Sequence, residues 1–138
     1  MTCWGVNVVY SNRKPLPADE EQELGAQFVS LEELLTRSDI ISLHCPLTPS
    51  THHLLNPSTL SQCKPGVFII NTSRGPVIDE KALLEALESG HVKRAGLDVF
   101  EREPHVEKAL LENDNVVLSP HYAAFTHEGS MSPLLELC

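Results

Sequence analysis

The chain has 138 residues, enough for one domain and too few for two ordinary ones. Its 41% hydrophobic and 21% charged residues describe a packed globular protein and exclude a disordered one. A formal charge of −9, from 19 acidic and 10 basic side chains, repels phosphate backbones and argues against general nucleic-acid binding.

No apolar run approaches the roughly 18 residues of a membrane span, and the N-terminus lacks the basic-then-apolar pattern of a signal peptide. Cys3, Cys45, Cys63 and Cys138 lie far apart with no Cys-x-x-Cys spacing. That pattern indicates neither a zinc ribbon, nor another metal site, nor a disulfide framework, so reduced thiols in a cytosolic protein are expected.

In chain order, Val6–Tyr10 reads as a buried strand, followed by a polar, proline-bearing stretch from Ser11 to Gly25. Ser30-Leu-Glu-Glu33 is a capping box: the Ser30 hydroxyl can take a free amide while Glu33 reaches back. Leu31, Leu34 and Leu35 make the inner stripe of the helix it opens. Ile40–His44 is a second strand, stopped by Pro46. Asn56-Pro57 is a helix cap and first helical position, because proline's missing N–H is no loss there. That helix runs to about Cys63, ahead of Pro65-Gly66.

Val67–Ile70 is the most hydrophobic run and is expected to be a strand buried on both faces. Asp79 caps the clearest helix, through Leu83, Leu84 and Leu87, with Gly90 as its left-handed C-terminal residue. Ala95–Phe100 and Val116–Ser119 are two further strands, and Glu107 to Asn113 forms one helical turn or two between them. Strands alternating with helices at this spacing predict an α/β fold with a parallel sheet. Residues 126–138 have no partner in the pattern and read as a short helix or a loose tail.

Three chemically capable residues each follow a predicted strand: Arg74, Glu103 and His121. In open α/β sheets ligands bind beyond the carboxyl ends of the strands, so the three can share one crevice. Arginine's planar fork holds a carboxylate through two parallel hydrogen bonds. Histidine gives or takes the proton when a carbonyl becomes an alcohol, and a carboxylate beside an imidazole favours its charged form. Read singly, Arg74 is also a surface charge, Ser-Pro-His121 a loop and Glu103 one acid among 19.

Four ordered segments carry a resemblance. They are Ser42–Pro49 with Thr51–Asn56, Lys64–Pro76, Gly96–Pro104 and Asn115–His121. Together they resemble the cofactor domain of the D-isomer-specific 2-hydroxyacid dehydrogenases, collinearly from about Gly5 to Thr126, and the glyoxylate and hydroxypyruvate reductase branch is most similar. The resemblance implies a Rossmann-like parallel sheet with flanking helices and an oxidoreductase that reduces a small 2-oxo acid with NAD(P)H.

It also implies roles. Arg74 binds the carboxylate and carbonyl of the acid, His121 is the proton donor, and Glu103 pairs with it. His121 and Asp98, together with Thr72, Ser73, Thr51 and the stretch His44-Cys45-Pro46, line the nicotinamide and ribose. For the Cys45 side chain, ordinary packing at a strand end is the preferred reading; Asp98 also reads as a cap for a nearby turn. Where the family often has an aspartate after the strand at Tyr10, this chain has Ser11-Asn12-Arg13-Lys14. Loss of the carboxylate and gain of Arg13 favour NADP over NAD, with a solvated charge pair as the other reading.

The chain departs from the family in one respect above all: none of its seven glycines forms a Gly-x-Gly arrangement. The resemblance therefore implies that the first strand, its glycine-rich loop and the substrate domain are missing, leaving residues 1–125 as a partial dinucleotide-binding domain. The missing strand belongs at the centre of the sheet. Val6–Tyr10 and Ile40–His44 are expected on one side of the gap and the other strands on the far side, with exposed edges prone to aggregation. The alternative to an enzyme is a non-catalytic module that forms a homodimer, or a heterodimer with a full-length homologue, or else a functionless fragment.

Overall fold

Short β-branched runs and amphipathic helices alternate along the chain, and the backbone follows them. The computed structural model describes residues 5–123. In order come β1 (Val8–Tyr10), α1 (Ala18–Leu24), β2 (Ala26–Phe28), α2 (Leu31–Arg37), β3 (Ile40–Leu43), α3 (Pro57–Leu60), β4 (Val67–Asn71), α4 (Glu80–Glu88), β5 (Val92–Leu97), α5 (Lys108–Leu111) and β6 (Val116–Leu118). A single 3₁₀ turn, Gly75–Val77, leads from β4 into α4.

All pairings are parallel, in two sheets: β1 with β2, and β3-β4-β5-β6 in that order. This corrects the expected grouping of the strands at Val6–Tyr10 and Ile40–His44. β3 pairs directly with β4, Ile41 opposite Ile69, whereas β1 takes β2 as its partner. Among the described residues β1, β2, β3 and β6 each keep one unpaired edge. The segment Ser11–Gly25 is not all irregular either: α1 and β2 had escaped the sequence reading. α1 buries no residue, so it carries no apolar stripe to read. Similarly, β5 starts at Val92 rather than Ala95, and Asp98–Phe100 form the loop beyond it.

Helix caps follow the sequence. Ser30 Oγ accepts from Glu33 N–H at 3.1 Å, while the Glu33 carboxylate turns to Arg37 Nη1 at 2.9 Å instead of reaching back. Asn56 forms the reciprocal box with Thr59, and Asp79 accepts from Ala82 N–H at 3.1 Å. After α3, Gln62 and Cys63 N–H bond carbonyls three residues back, tightening the last turn. Gly90 adopts φ 75°, where a Cβ would strain the backbone.

The core lies on one face of the four-stranded sheet. Ile41, Leu43, Val67, Ile69, Val92, Ala95 and Leu97 point into it and meet Leu35, Leu60, Leu83, Leu87 and Leu110 from the helices. Each of the Val, Leu and Ile side chains among them contributes about 1.5–3 kcal/mol on burial. Alternate residues point the other way, so β4 is not buried on both faces as expected. Among the described residues the face bearing Ile40, Phe68, Ile70 and Val117 is uncovered, and Ile40 and Val117 are 60% and 69% exposed. The suggested helix or tail at 126–138 lies outside the described residues.

Candidate active site

Because β3, β4, β5 and β6 run the same way, the loops after them emerge along one edge of the sheet, with His44, Thr72–Arg74, Asp98–Glu103 and Ser119–His121 in that spatial order. At its centre sits Asp98, buried and fully engaged. Its own N–H continues the strand by donating to the Asn71 carbonyl at 2.9 Å. Its carboxylate accepts from Ser119 Oγ, from Tyr122 N–H at 2.9 Å and from Ala123 N–H at 2.8 Å. Burial pushes this carboxyl up, but those hydrogen bonds and the nearby His121 outweigh it and leave Asp98 below its ordinary value. Asp98 thus caps the turn that carries His121, one of the two roles the sequence allows it.

His121 sits in that turn at φ 58°, the left-handed region that only glycine adopts freely. Its Nδ1 lies 2.9 Å from Glu103 Oε2, and Phe100 N–H donates to Glu103 Oε1, also at 2.9 Å. Since a carboxylate only accepts, Nδ1 carries the proton in this bond and Nε2 is the nitrogen left to face a substrate. Burial raises the Glu103 carboxyl and Asp98 adds to that, yet the bonds from His121 and Phe100 prevail and hold it below the usual glutamate value. Half-exposure of the pair (47% for His121, 36% for Glu103) leaves it open to small molecules.

Arg74 leaves β4 through a turn built by Asn71. This buried amide accepts from Ser73 N–H at 3.0 Å and Ser73 Oγ at 2.9 Å, and it donates to the Arg74 carbonyl at 3.0 Å. Asn71 escaped the sequence reading, although an Asn closing an apolar strand before Thr-Ser is an Asx-turn signal. Arg74 Nη1 donates to Ser73 O at 2.7 Å, and the side chain stays exposed. Next to it, a Cβ on Gly75 would lie 1.9 Å from the Phe100 carbonyl carbon and oxygen. Only glycine lets the Arg74 and Glu103 loops pack this closely.

The remaining sequence candidates divide. His44 is exposed at the end of β3, its Nε2 2.8 Å from Ser42 Oγ. Cys45 is a free, half-buried thiol pushed up by burial, in keeping with a packing role. Thr51 Oγ1 donates to Pro46 O at 2.6 Å and accepts from Thr48 N–H at 2.8 Å, so it shapes its own loop. Thr72 is exposed and Ser73 is bound to Asn71. Ser11, Asn12 and Arg13 follow β1, on the other sheet, with Arg13 N–H donating to Asn12 Oδ1 at 2.8 Å. Among the described residues no cluster of three or more His, Cys, Asp or Glu could hold a metal, and no helix is long and apolar enough to cross a membrane.

A parallel sheet with an Arg, a Glu–His pair and a buried Asp at successive strand ends can be compared with known proteins. Residues 1–123 match the family described as D-isomer specific 2-hydroxyacid dehydrogenase, NAD binding domain. The chain belongs to that family. A glyoxylate reductase from Thermococcus litoralis is 46% identical over 125 residues, 91% of this chain and 38% of its own length. The crystal structure of a glyoxylate reductase from Paecilomyes thermophila superposes with a TM-score of 0.85 at 49% identity, covering 91% of this chain and 38% of the other. A family member from Xanthobacter autotrophicus Py2, solved in complex with NADPH and MES, superposes with a TM-score of 0.77 at 39% identity, over 85% of this chain and 37% of that one. The chain therefore spans less than two-fifths of the length of these relatives.

Proposed function

We propose that this chain provides the proton-transfer and carboxylate-binding half of an enzyme that reduces a small 2-oxo acid of the glyoxylate or hydroxypyruvate kind. The observation that carries the reading is the Glu103–His121 contact of 2.9 Å, one strand away from the Arg74 turn. Arg74 holds the substrate carboxylate in its fork. His121 Nε2 delivers a proton to the 2-oxo oxygen, and Glu103 stabilises the imidazolium ready to give it. A bound reduced nicotinamide supplies the hydride. The exposed ends of β3 and β4, with His44, Pro46, Thr51, Thr72 and Ser73, fit a nicotinamide and its ribose.

NADPH fits the other end better than NADH. Arg13 and Lys14 are exposed and take part in no ion pair among the described residues, and Ser11 offers a hydroxyl where an acid would repel a 2′-phosphate. A cytosolic setting fits the free thiols of Cys45 and Cys63.

The test is NADPH and NADH oxidation by the purified protein with glyoxylate and hydroxypyruvate, beside an Arg74→Ala variant. Turnover with NADPH that the variant loses supports the reading; a wild-type protein that binds neither nucleotide sinks it. A second reading, a non-catalytic module pairing with another copy or with a longer homologue, draws on the uncovered apolar face at Ile40, Ile70 and Val117. It calls for a stable dimer or heterodimer by light scattering, without turnover.

A further inference from the structure

One group of titratable side chains lies outside the proton-transfer pair and ties together the loops that carry it. Glu80, at the start of α4, is buried, and its Oε1 accepts from Glu101 N–H at 2.6 Å. In return Glu80 N–H donates to Glu101 Oε2 at 3.4 Å. Two carboxylates thus adjoin: burial first, then the negative charge of Glu101, pushes the Glu80 carboxyl up against the pull of the Glu101 N–H bond. The charges of Glu107 and Arg102 also act on Glu80, with opposite signs.

The counterweight is His53, 48 residues earlier in the chain. Its Nε2 lies 2.9 Å from Glu101 Oε1 and its Nδ1 4.0 Å from Asp79 Oδ2, while its ring stacks on His52 with centroids 4.0 Å apart. The backbone beneath is fixed. His53 N–H donates to Pro76 O at 2.8 Å, Asn56 Nδ2 donates to His53 O at 3.0 Å, and φ is 49°.

We propose that His53 is a positioning residue: by holding the Glu101 carboxylate, it fixes the 98–103 loop where Glu103 meets His121. Glu101 lies between Phe100, whose N–H holds Glu103 Oε1, and Glu103 itself. The Phe100 backbone rests on Gly75 at a distance no Cβ tolerates, which blocks movement of the loop toward the Arg74 turn. On its other side the loop is held by His53 and by the Glu80–Glu101 exchange. Without the His53 donor, the two carboxylates repel and the loop lifts, taking Glu103 with it. This inference rests on the reading of Glu103 and His121 as the proton-handling pair.

The test uses His53→Phe, which keeps a ring on His52 but has no donor, and His53→Gln, which restores a donor. Carbon-13 NMR titration follows the Glu103 carboxyl, which faces His121, Phe100 N–H and Asp98 and is held low in the wild type. In His53→Phe it should rise toward the ordinary glutamate value, with kcat falling about 10-fold and KM for NADPH unchanged, because misplacement of a catalytic group acts on the chemical step. His53→Gln should recover most of both. A folded His53→Phe with wild-type Glu103 titration and kcat would overturn the proposal. If His53→Phe does not fold, Glu101→Ala, which removes the group that His53 holds, carries the test through the same titration, and an unchanged Glu103 overturns the proposal equally. Wild-type protein that reduces no 2-oxo acid overturns the underlying reading instead, whatever Glu103 does.

Discussion

Glu103 and His121 face each other at 2.9 Å across a loop and a turn that different strands supply, and the second oxygen of Glu103 is fixed by Phe100 N–H. The carboxylate cannot swing away without losing a bond to its own loop. Glu103→Gln keeps the shape and removes the charge. Its kcat for 2-oxo acid reduction should fall by about 10²-fold or more, the usual scale of a general acid–base contribution. Steady-state kinetics at saturating NADPH checks this, and a near-wild-type kcat would remove the proton-transfer role.

Arg74 is expected to bind the substrate carboxylate through two parallel bonds, which a point charge cannot reproduce. Arg74→Ala should lower kcat/KM for glyoxylate by orders of magnitude, and Arg74→Lys should recover little of it. Stability should change little, within about 0.5 kcal/mol, because the side chain is exposed. A lysine variant with most of the wild-type kcat/KM would show that charge alone suffices.

The strands β3, β4, β5 and β6 were legible because apolar runs and turn residues bracket them, and Arg74, Glu103 and His121 because each follows such a run. β2 was not: Ala26-Gln-Phe28 is too short for a period, and only its pairing with Val8–Tyr10 makes it a strand. The partner of β3 was misread for a related reason. A strand's hydrophobicity says that it is buried but not which neighbour it takes, and Lys93-Arg94 likewise disguised the first half of β5. His53, Glu80 and Glu101 were invisible as a set because tertiary packing alone brings 53, 80 and 101 together.

Acid should weaken the site's architecture in a definite window. Asp98 and Glu103 both have folded pKa values below their ordinary ones, so their contribution to stability is present above about pH 4 and is lost as pH falls through the lowered values. Urea unfolding between about pH 6 and pH 2 should show this slope. Asp98→Asn should flatten it and cost about 1–3 kcal/mol near neutrality, since an amide nitrogen cannot accept from both backbone amides that Asp98 serves. An undiminished slope in Asp98→Asn would mean that other carboxylates set it.

Tyr10 closes the loop that carries Arg13. Its hydroxyl donates to Glu21 Oε1 at 2.6 Å and accepts from Leu16 N–H at 2.6 Å, while its ring meets Phe28 edge-on. Tyr10→Phe keeps the ring and loses both bonds. It should lower stability slightly and weaken NADPH binding more than NADH binding, because only the 2′-phosphate depends on where Arg13 is held. Fluorescence titration with both nucleotides decides it; an equal loss for both would place the 2′-phosphate elsewhere.

Glu80 should respond to pH in the sense opposite to Asp98. Its folded pKa is raised, so the fold binds its proton more tightly than the unfolded chain does. Stability from this group is therefore full below the ordinary glutamate value of about 4.3 and declines as pH rises through the raised value. Glu80→Gln removes the buried charge yet keeps an oxygen for Glu101 N–H, so it should stabilise the protein relative to wild type at neutral pH and less so near pH 4. Glu80→Ala leaves that amide without its acceptor and should cost about 1–3 kcal/mol at both. Urea midpoints of the two variants at the two pH values separate the charge of Glu80 from its hydrogen bond, and a glutamine variant no more stable than alanine at neutral pH would show that the charge is needed.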